Sequence, residues 1–120
     1  MRREEHLTKR AQYIEVRYKG KPWTCNLLSI RLLQNGLNFS RYGFVISKRL
    51  GKAVIRNRVK RLLREILRET LLKPGWDIVF YPRRAAASAS FAELKKLILN
   101  LLSRAQLLMD NHEKVCSETN

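Results

Sequence analysis

Along residues 55–67, Ile55, Val59, Leu62, Leu63, Ile66 and Leu67 recur at i, i+4, i+7, i+8, i+11 and i+12, which stacks them on one face of a helix. A second stripe, Phe91, Leu94, Leu97, Ile98, Leu101, Leu102, Ala105 and Leu108, has the same period and follows a capping-box signal at Ser90 and Glu93. Leu7, Ala11, Ile14 and Tyr18 predict a shorter first helix, with Thr8 near its N-cap, Gly20 just past its end, and Tyr13, Val16 and Arg17 off the stripe. Between these helices the period changes to two. Residues 23–33 read as extended chain, split into a short and a longer strand, with Leu28, Ile30 and Leu32 on one side and Leu27, Ser29, Arg31 and Leu33 on the other. In residues 41–47, Tyr42, Phe44 and Ile46 alternate with Arg41, Gly43, Val45 and Ser47, a strand with both faces partly covered. Residues 76–81, W-D-I-V-F-Y, are apolar apart from Asp77, the pattern of an interior strand. Gln34-Asn35-Gly36 and residues 48–52 around Gly51 mark turns, and Lys73-Pro74-Gly75 is expected to end the central helix. The order is helix, two or three strands, helix, strand, helix, with no internal repeat or linker.

Charge changes the meaning of the central helix. Residues 41–68 hold ten of the chain's 25 Lys+Arg and one acid, Glu65. At about 100° per residue, Asn57, Lys60, Arg61, Arg64 and Arg68 gather opposite the apolar stripe, with Arg58 and Glu65 on one flank. Lys60, Arg64 and Arg68 form a like-charge ladder that costs an isolated helix roughly 0.2–0.5 kcal/mol per pair. A face of mixed sign would be a solvated one, but a face of single sign repels itself until a polyanion neutralises it. Arginine suits phosphate oxygens or a guanine edge, and Asn57 suits a base edge or a 2′-hydroxyl because it both donates and accepts.

The whole composition points the same way. The chain has 120 residues, a formal charge of +15 and 45% hydrophobic residues, which fits one domain over residues 1–120 with a core and flexible ends at about 1–6 and 110–120. A nucleic-acid partner is favoured over an anionic membrane surface. Cys25 and Cys116 form no C-x-x-C pattern, so neither a disulfide framework nor a zinc site is indicated. No signal peptide or membrane-length apolar run is present, which gives a cytoplasmic expectation. The ten acids are scattered, and His6 and His112 lie in the terminal segments, so no carboxylate pair or histidine pair supports a protein nuclease centre. Asp77, the one acid on a strand, is expected to pair with a nearby arginine. An RNA-binding structural protein, such as a ribosomal one, and a DNA-binding protein with this helix in a major groove both fit the composition and periodicity.

Residues 50–65, L-G-K-A-V-I-R-N-R-V-K-R-L-L-R-E, closely resemble the signature helix of the bacterial ribonuclease P protein component, with its Arg56-Asn57-Arg58 motif. Gly43 to Arg49 resemble the strand and turn before that helix. Tyr13 to Gly20 resemble the family's aromatic-x-x-Val-x-x-x-Gly segment, with Tyr13 where Phe is more usual and Arg17 where some relatives have an aromatic residue. The resemblance implies an α+β fold in αβββαβα order, a two-layer arrangement with helices packed on a mixed four-stranded sheet and an unusual left-handed crossover. It implies a protein that binds a catalytic RNA and helps it remove the 5′ leader of precursor tRNA. The catalytic centre and most of the Mg2+ are then expected in the RNA, with no catalytic or metal-binding residue and no small-molecule substrate on this chain. Arg56, Asn57, Arg58, Lys60, Arg61, Arg64 and Arg68 are the expected RNA-subunit contacts, extended by Ser47, Lys48, Arg49 and Lys52. Tyr13 and Arg17 are expected to line a leader cleft between the first helix and the sheet, with Trp23, Tyr42 and Phe44 as further candidates.

Overall fold

A computed structural model describes residues 6–108. The ends expected to be flexible, residues 1–6 and 110–120, lie outside that range except for His6, which forms a parallel bridge with Tyr42. In chain order the elements are α1 (Arg10–Lys19), β1 (Lys21–Thr24), β2 (Leu28–Gln34), β3 (Arg41–Phe44), α2 (Ala53–Arg68), β4 (Trp76–Pro82) and α3 (Phe91–Arg104). Short 3-10 turns at Lys48–Leu50 and Arg84–Ser88 precede α2 and α3. The four strands run β1-β2-β4-β3, antiparallel except for the parallel pair β3 and β4, which α2 connects. This is the mixed α+β sheet and the αβββαβα order that the resemblance implied, and it agrees with the helix and strand order read from the pattern.

Strand parity sorts the core. Leu28, Ile30, Leu32, Tyr42, Ile78 and Phe80 share one face, covered by Val59, Leu63, Ile66 and Leu67 of α2 and by Leu94, Ile98, Leu101 and Leu102 of α3. Val79 faces the other way and meets Val16 of α1 and Leu7, with Tyr13, Leu33 and Tyr81 around them. Helices therefore lie on both faces of the sheet, α1 on one and α2 with α3 on the other. Asp77, the second residue of the interior strand β4, is a buried acid gripped by Arg41 through Nε at 2.9 Å and Nη2 at 2.7 Å, while Asn35 Nδ2 donates to it at 2.9 Å. The arginine partner expected for Asp77 is thus Arg41. Together they pin the β2–β3 loop to β4 and fix where Gly43 falls.

Several boundaries and faces differ from the pattern. The buried residue of α1 is Val16, whereas Ile14 and Tyr18 of the expected stripe are 44% and 80% exposed. Leu7 belongs to an extended segment tied to β3, its N–H donating to Tyr42 O at 2.9 Å, so it cannot set the helix phase. Gln12 Oε1 accepts from the backbone N–H groups of Thr8 and Lys9, each at 3.0 Å, and starts the helix two residues beyond Thr8. β3 ends at Phe44, three residues short of Ser47. α2 ends at Arg68, before Lys73, because Leu72 leaves to bridge Leu108 and Lys73 N–H donates to Leu107 O at 2.7 Å.

Candidate nucleic-acid interface

The basic face of α2 begins in the turn that launches it. Ser47 Oγ accepts from Arg49 N–H at 3.0 Å, closing the 3-10 turn, so this hydroxyl serves the turn. Gly51 then takes φ 144°, and a Cβ there would lie 2.9 Å from Ile55 Cδ1. The chain therefore needs glycine to bring Ile55 down onto the turn and aim α2 across the sheet. Lys48, Arg49 and Lys52 are left exposed around this entry, followed by Asn57, Arg61, Arg64 and Arg68 along the helix. Lys60 is half-buried.

The two arginines of the Arg56-Asn57-Arg58 motif do not share this exposure. Arg56 Nε donates to Gly51 O at 3.2 Å. Arg58 donates from Nη1 to Ala87 O at 3.1 Å and from Nη2 to Ala89 O at 2.9 Å. Arg58, expected as an RNA contact, thus has its guanidinium turned onto the chain's own backbone. The physical reason is its place on the flank of α2, which faces the carbonyls of the turn before α3.

At the β3 edge of the sheet, α1, β3 and α2 frame a cleft of about 340 Å3 lined by His6, Leu7, Thr8, Tyr13, Gly43, Phe44, Lys60 and Arg64. Tyr13 lies directly over Gly43, where a Cβ would be 2.2 Å from the phenol oxygen. Its hydroxyl donates to Leu7 O at 3.0 Å. Burial raises the phenol's pKa above its ordinary value, opposed by the backbone N–H of Phe44. An aromatic ring and two cations thus face one space. Stacking and phosphate attraction are both available there.

Residues 1–106 match the family model described as ribonuclease P. The ribonuclease P protein component of Dehalococcoides mccartyi strain CBDB1 is 44% identical over 119 residues, which is 99% of each chain. This chain belongs to the ribonuclease P protein family. That of Alkaliphilus oremlandii is 42% identical over 110 residues, 90% of this chain and 96% of the relative. Among solved structures, the ribonuclease P protein of Thermotoga maritima superposes with a TM-score of 0.77 at 32% identity, covering 83% of this chain and 96% of its own. The Staphylococcus aureus protein gives 0.78 at 23% identity, covering 88% and 98%, a likeness of fold.

Family membership makes the chain a protein component of ribonuclease P, in tRNA processing. Within that frame, the expected leader residues separate. Tyr13 and Phe44 line the cleft. Arg17 lies one turn further along α1, next to Tyr81 and Arg31, and its carbonyl accepts from Arg31 Nη1 at 3.2 Å. Trp23 does not line the cleft: it shares the parity of Ile30, packs against the core under α2 and α3, and has Arg104 over its ring at 5.9 Å. Tyr42 does not line it either: it is 3% exposed, buried in the core with the rings of His6 and Phe44 beside it. Lys60 and Arg64, expected only toward the RNA subunit, are also the cationic wall of the cleft. Gly43, Arg31 and Tyr81 were not among the expected site residues. The available signal was parity, since the register puts Gly43 and Arg31 opposite Val79 and Tyr81 two residues on.

Proposed function

We propose that this chain binds the ribonuclease P RNA through the exposed cations of α2 and its entry turn, and holds the single-stranded 5′ leader of precursor tRNA in the α1–β3 cleft. The observation that carries the reading is the meeting of Tyr13 with Lys60 and Arg64 around one open space of about 340 Å3. An unpaired leader is recognisable only by stacking and phosphate contacts, and the cleft supplies both. Arg61, Arg64, Arg68, Lys48, Arg49 and Lys52 supply the backbone attraction for the RNA subunit, with Asn57 as the hydrogen-bonding group among them. Arg17 extends the leader path toward Tyr81. In this reading the RNA performs the cleavage. The Mg2+ that the reaction needs is assigned to the RNA on the same reading. No helix among the described residues is long and apolar enough to cross a membrane.

The test uses preassembled holoenzyme and precursors with leaders of graded length. Tyr13→Ala should abolish the gain in affinity as the leader grows, a loss of roughly 1–3 kcal/mol for one stacked base, while leaderless tRNA binds as before. An equal loss for leaderless and leader-bearing substrates refutes the cleft. In the same assay nuclease-free protein without RNA should cleave nothing specifically, and with RNA it should lower the Mg2+ required. Specific cleavage by the protein alone would overturn the assignment of chemistry to the RNA.

A further inference from the structure

The turn between β4 and α3 carries Arg83 and Arg84, two cations that neither the α2 face nor the leader cleft uses. Both are exposed, and among the described residues neither forms an ion pair. The backbone beneath them is held from three directions. Arg83 N–H donates to Leu27 O at 2.8 Å, Ala86 is fully buried, and Arg58 donates to the carbonyls of Ala87 at 3.1 Å and Ala89 at 2.9 Å. The turn lies against the Lys48–Leu50 turn and against α2. Arg83 and Arg84 thereby join Lys48, Arg49 and Lys52 in a patch built on two short turns, away from the ladder of α2. Glu93, the next acid along the chain, is held in its own capping box with Ser90.

This patch has the features of a polyanion site: five cations of one sign, two of them arginines on a backbone that three anchors keep in place. Flexible surface cations would lose more freedom on binding, whereas a braced turn presents its charges already ordered. The role of Arg58 follows from the same geometry. A guanidinium that already donates to two carbonyls has little left to offer a phosphate, and withdrawing it would leave both carbonyls partly buried without those donors. We propose that Arg83 and Arg84 form a second contact for the backbone of the ribonuclease P RNA, mounted by Arg58, which is a positioning residue and not a phosphate ligand. This rests on the reading of the α2 face as the RNA-subunit surface.

The experiment measures the affinity of the full chain for ribonuclease P RNA across a range of KCl concentrations. Each lost phosphate contact flattens the log-log salt slope by about 1 unit. Arg83→Ala/Arg84→Ala, at exposed positions that leave the anchors intact, should flatten it by about 2 units. Arg58→Met should lose much of the same increment, and the triple variant should be no flatter than the Arg83→Ala/Arg84→Ala pair. Arg58→Lys separates charge from bracing and also serves if Arg58→Met fails to fold. A brace is lost with lysine, which cannot span two carbonyls in the arginine fork, whereas a phosphate contact keeps its slope. An unchanged slope in Arg83→Ala/Arg84→Ala, with Arg61→Ala/Arg64→Ala flattened, overturns the second contact and leaves the α2 reading standing. If Arg61→Ala/Arg64→Ala is also unchanged, the α2 reading itself has failed. A triple variant flatter by a further unit, or a wild-type slope in Arg58→Lys, shows Arg58 to be a contact.

Discussion

Gly43→Ala tests the cleft through its floor. The new Cβ would lie 2.2 Å from Tyr13 Oη, 2.6 Å from Cζ and 2.7 Å from Cε1. Carbon contacts settle at about 3.5–4.0 Å, so the ring must move by about 1 Å or swing away. Moving it strains or breaks the hydroxyl bond to Leu7 O, worth about 1 kcal/mol, and disturbs the packing around Val16 and Val79. Against this, replacing glycine gains roughly 0.4–1 kcal/mol from the unfolded chain. The net expectation is a loss of about 1–3 kcal/mol, the usual cost of an overpacked site. In a Tyr13→Ala background the methyl group has room. There Gly43→Ala should be neutral or stabilising, giving a coupling of about 2 kcal/mol between the two positions. Urea unfolding of the four proteins in the cycle measures it, and the leader-length assay on Gly43→Ala should show the same lost increment as Tyr13→Ala. Additive effects within about 0.5 kcal/mol would refute the placement of the ring over Gly43.

Leu63→Ala removes a side chain with no exposed surface and should cost about 2–5 kcal/mol in urea unfolding while leaving the basic face of α2 unaltered. Gln106 has φ 62° at the end of α3, where Gln106 N–H donates to Ser103 O and Leu107 N–H to Leu102 O. Gln106→Gly should therefore stabilise the fold by about 1 kcal/mol, seen as a melting temperature a few degrees higher. Burial raises the phenols of Tyr13 and Tyr81 above 10.0, opposed at Tyr81 by Arg17 and Arg31. Their unfolded forms ionise first, so the stability they contribute is complete below about pH 10 and lost as pH rises through the folded values. Urea midpoints should fall less between pH 9 and 11 for Tyr13→Phe/Tyr81→Phe than for the wild type.

Long apolar stripes were legible because they bury a whole face. Val59, Leu63, Ile66 and Leu67 sit where the period of α2 puts them, and Ser90 with Glu93 caps α3 as their spacing implied. The first helix was misread because Leu7 is apolar and helically spaced yet reaches the core through an extended segment, leaving Val16 as the helix's own buried residue. Leu107 escaped the α3 stripe for a related reason. The chain reverses at Gln106 and turns Leu107 inward, to 1% exposure. At the cleft, both strand alternations were visible but not their relation to α1. Only the pairing of Gly43 with Val79, and of Val79 with Arg31, shows which side chains α1 overlooks.

The charge balance of the chain acquires a direction from the fold. Among the described residues, Glu15 pairs with Lys19 on α1, Glu69 with Lys95 at the far end of α2, and Asp77 with Arg41 beneath the sheet's edge. The Glu15–Lys19 and Glu69–Lys95 pairs are surface contacts worth little, and the Asp77 pair serves the register of β3. None of them lies on the exposed run of Asn57, Arg61 and Arg64. Neutralisation is thus spent where it shapes the sheet, and the face of α2 keeps its repulsion. The same repulsion that weakens the free chain is released when a polyanion settles on that face, so the unpaired ladder is a cost to folding and a source of affinity at once.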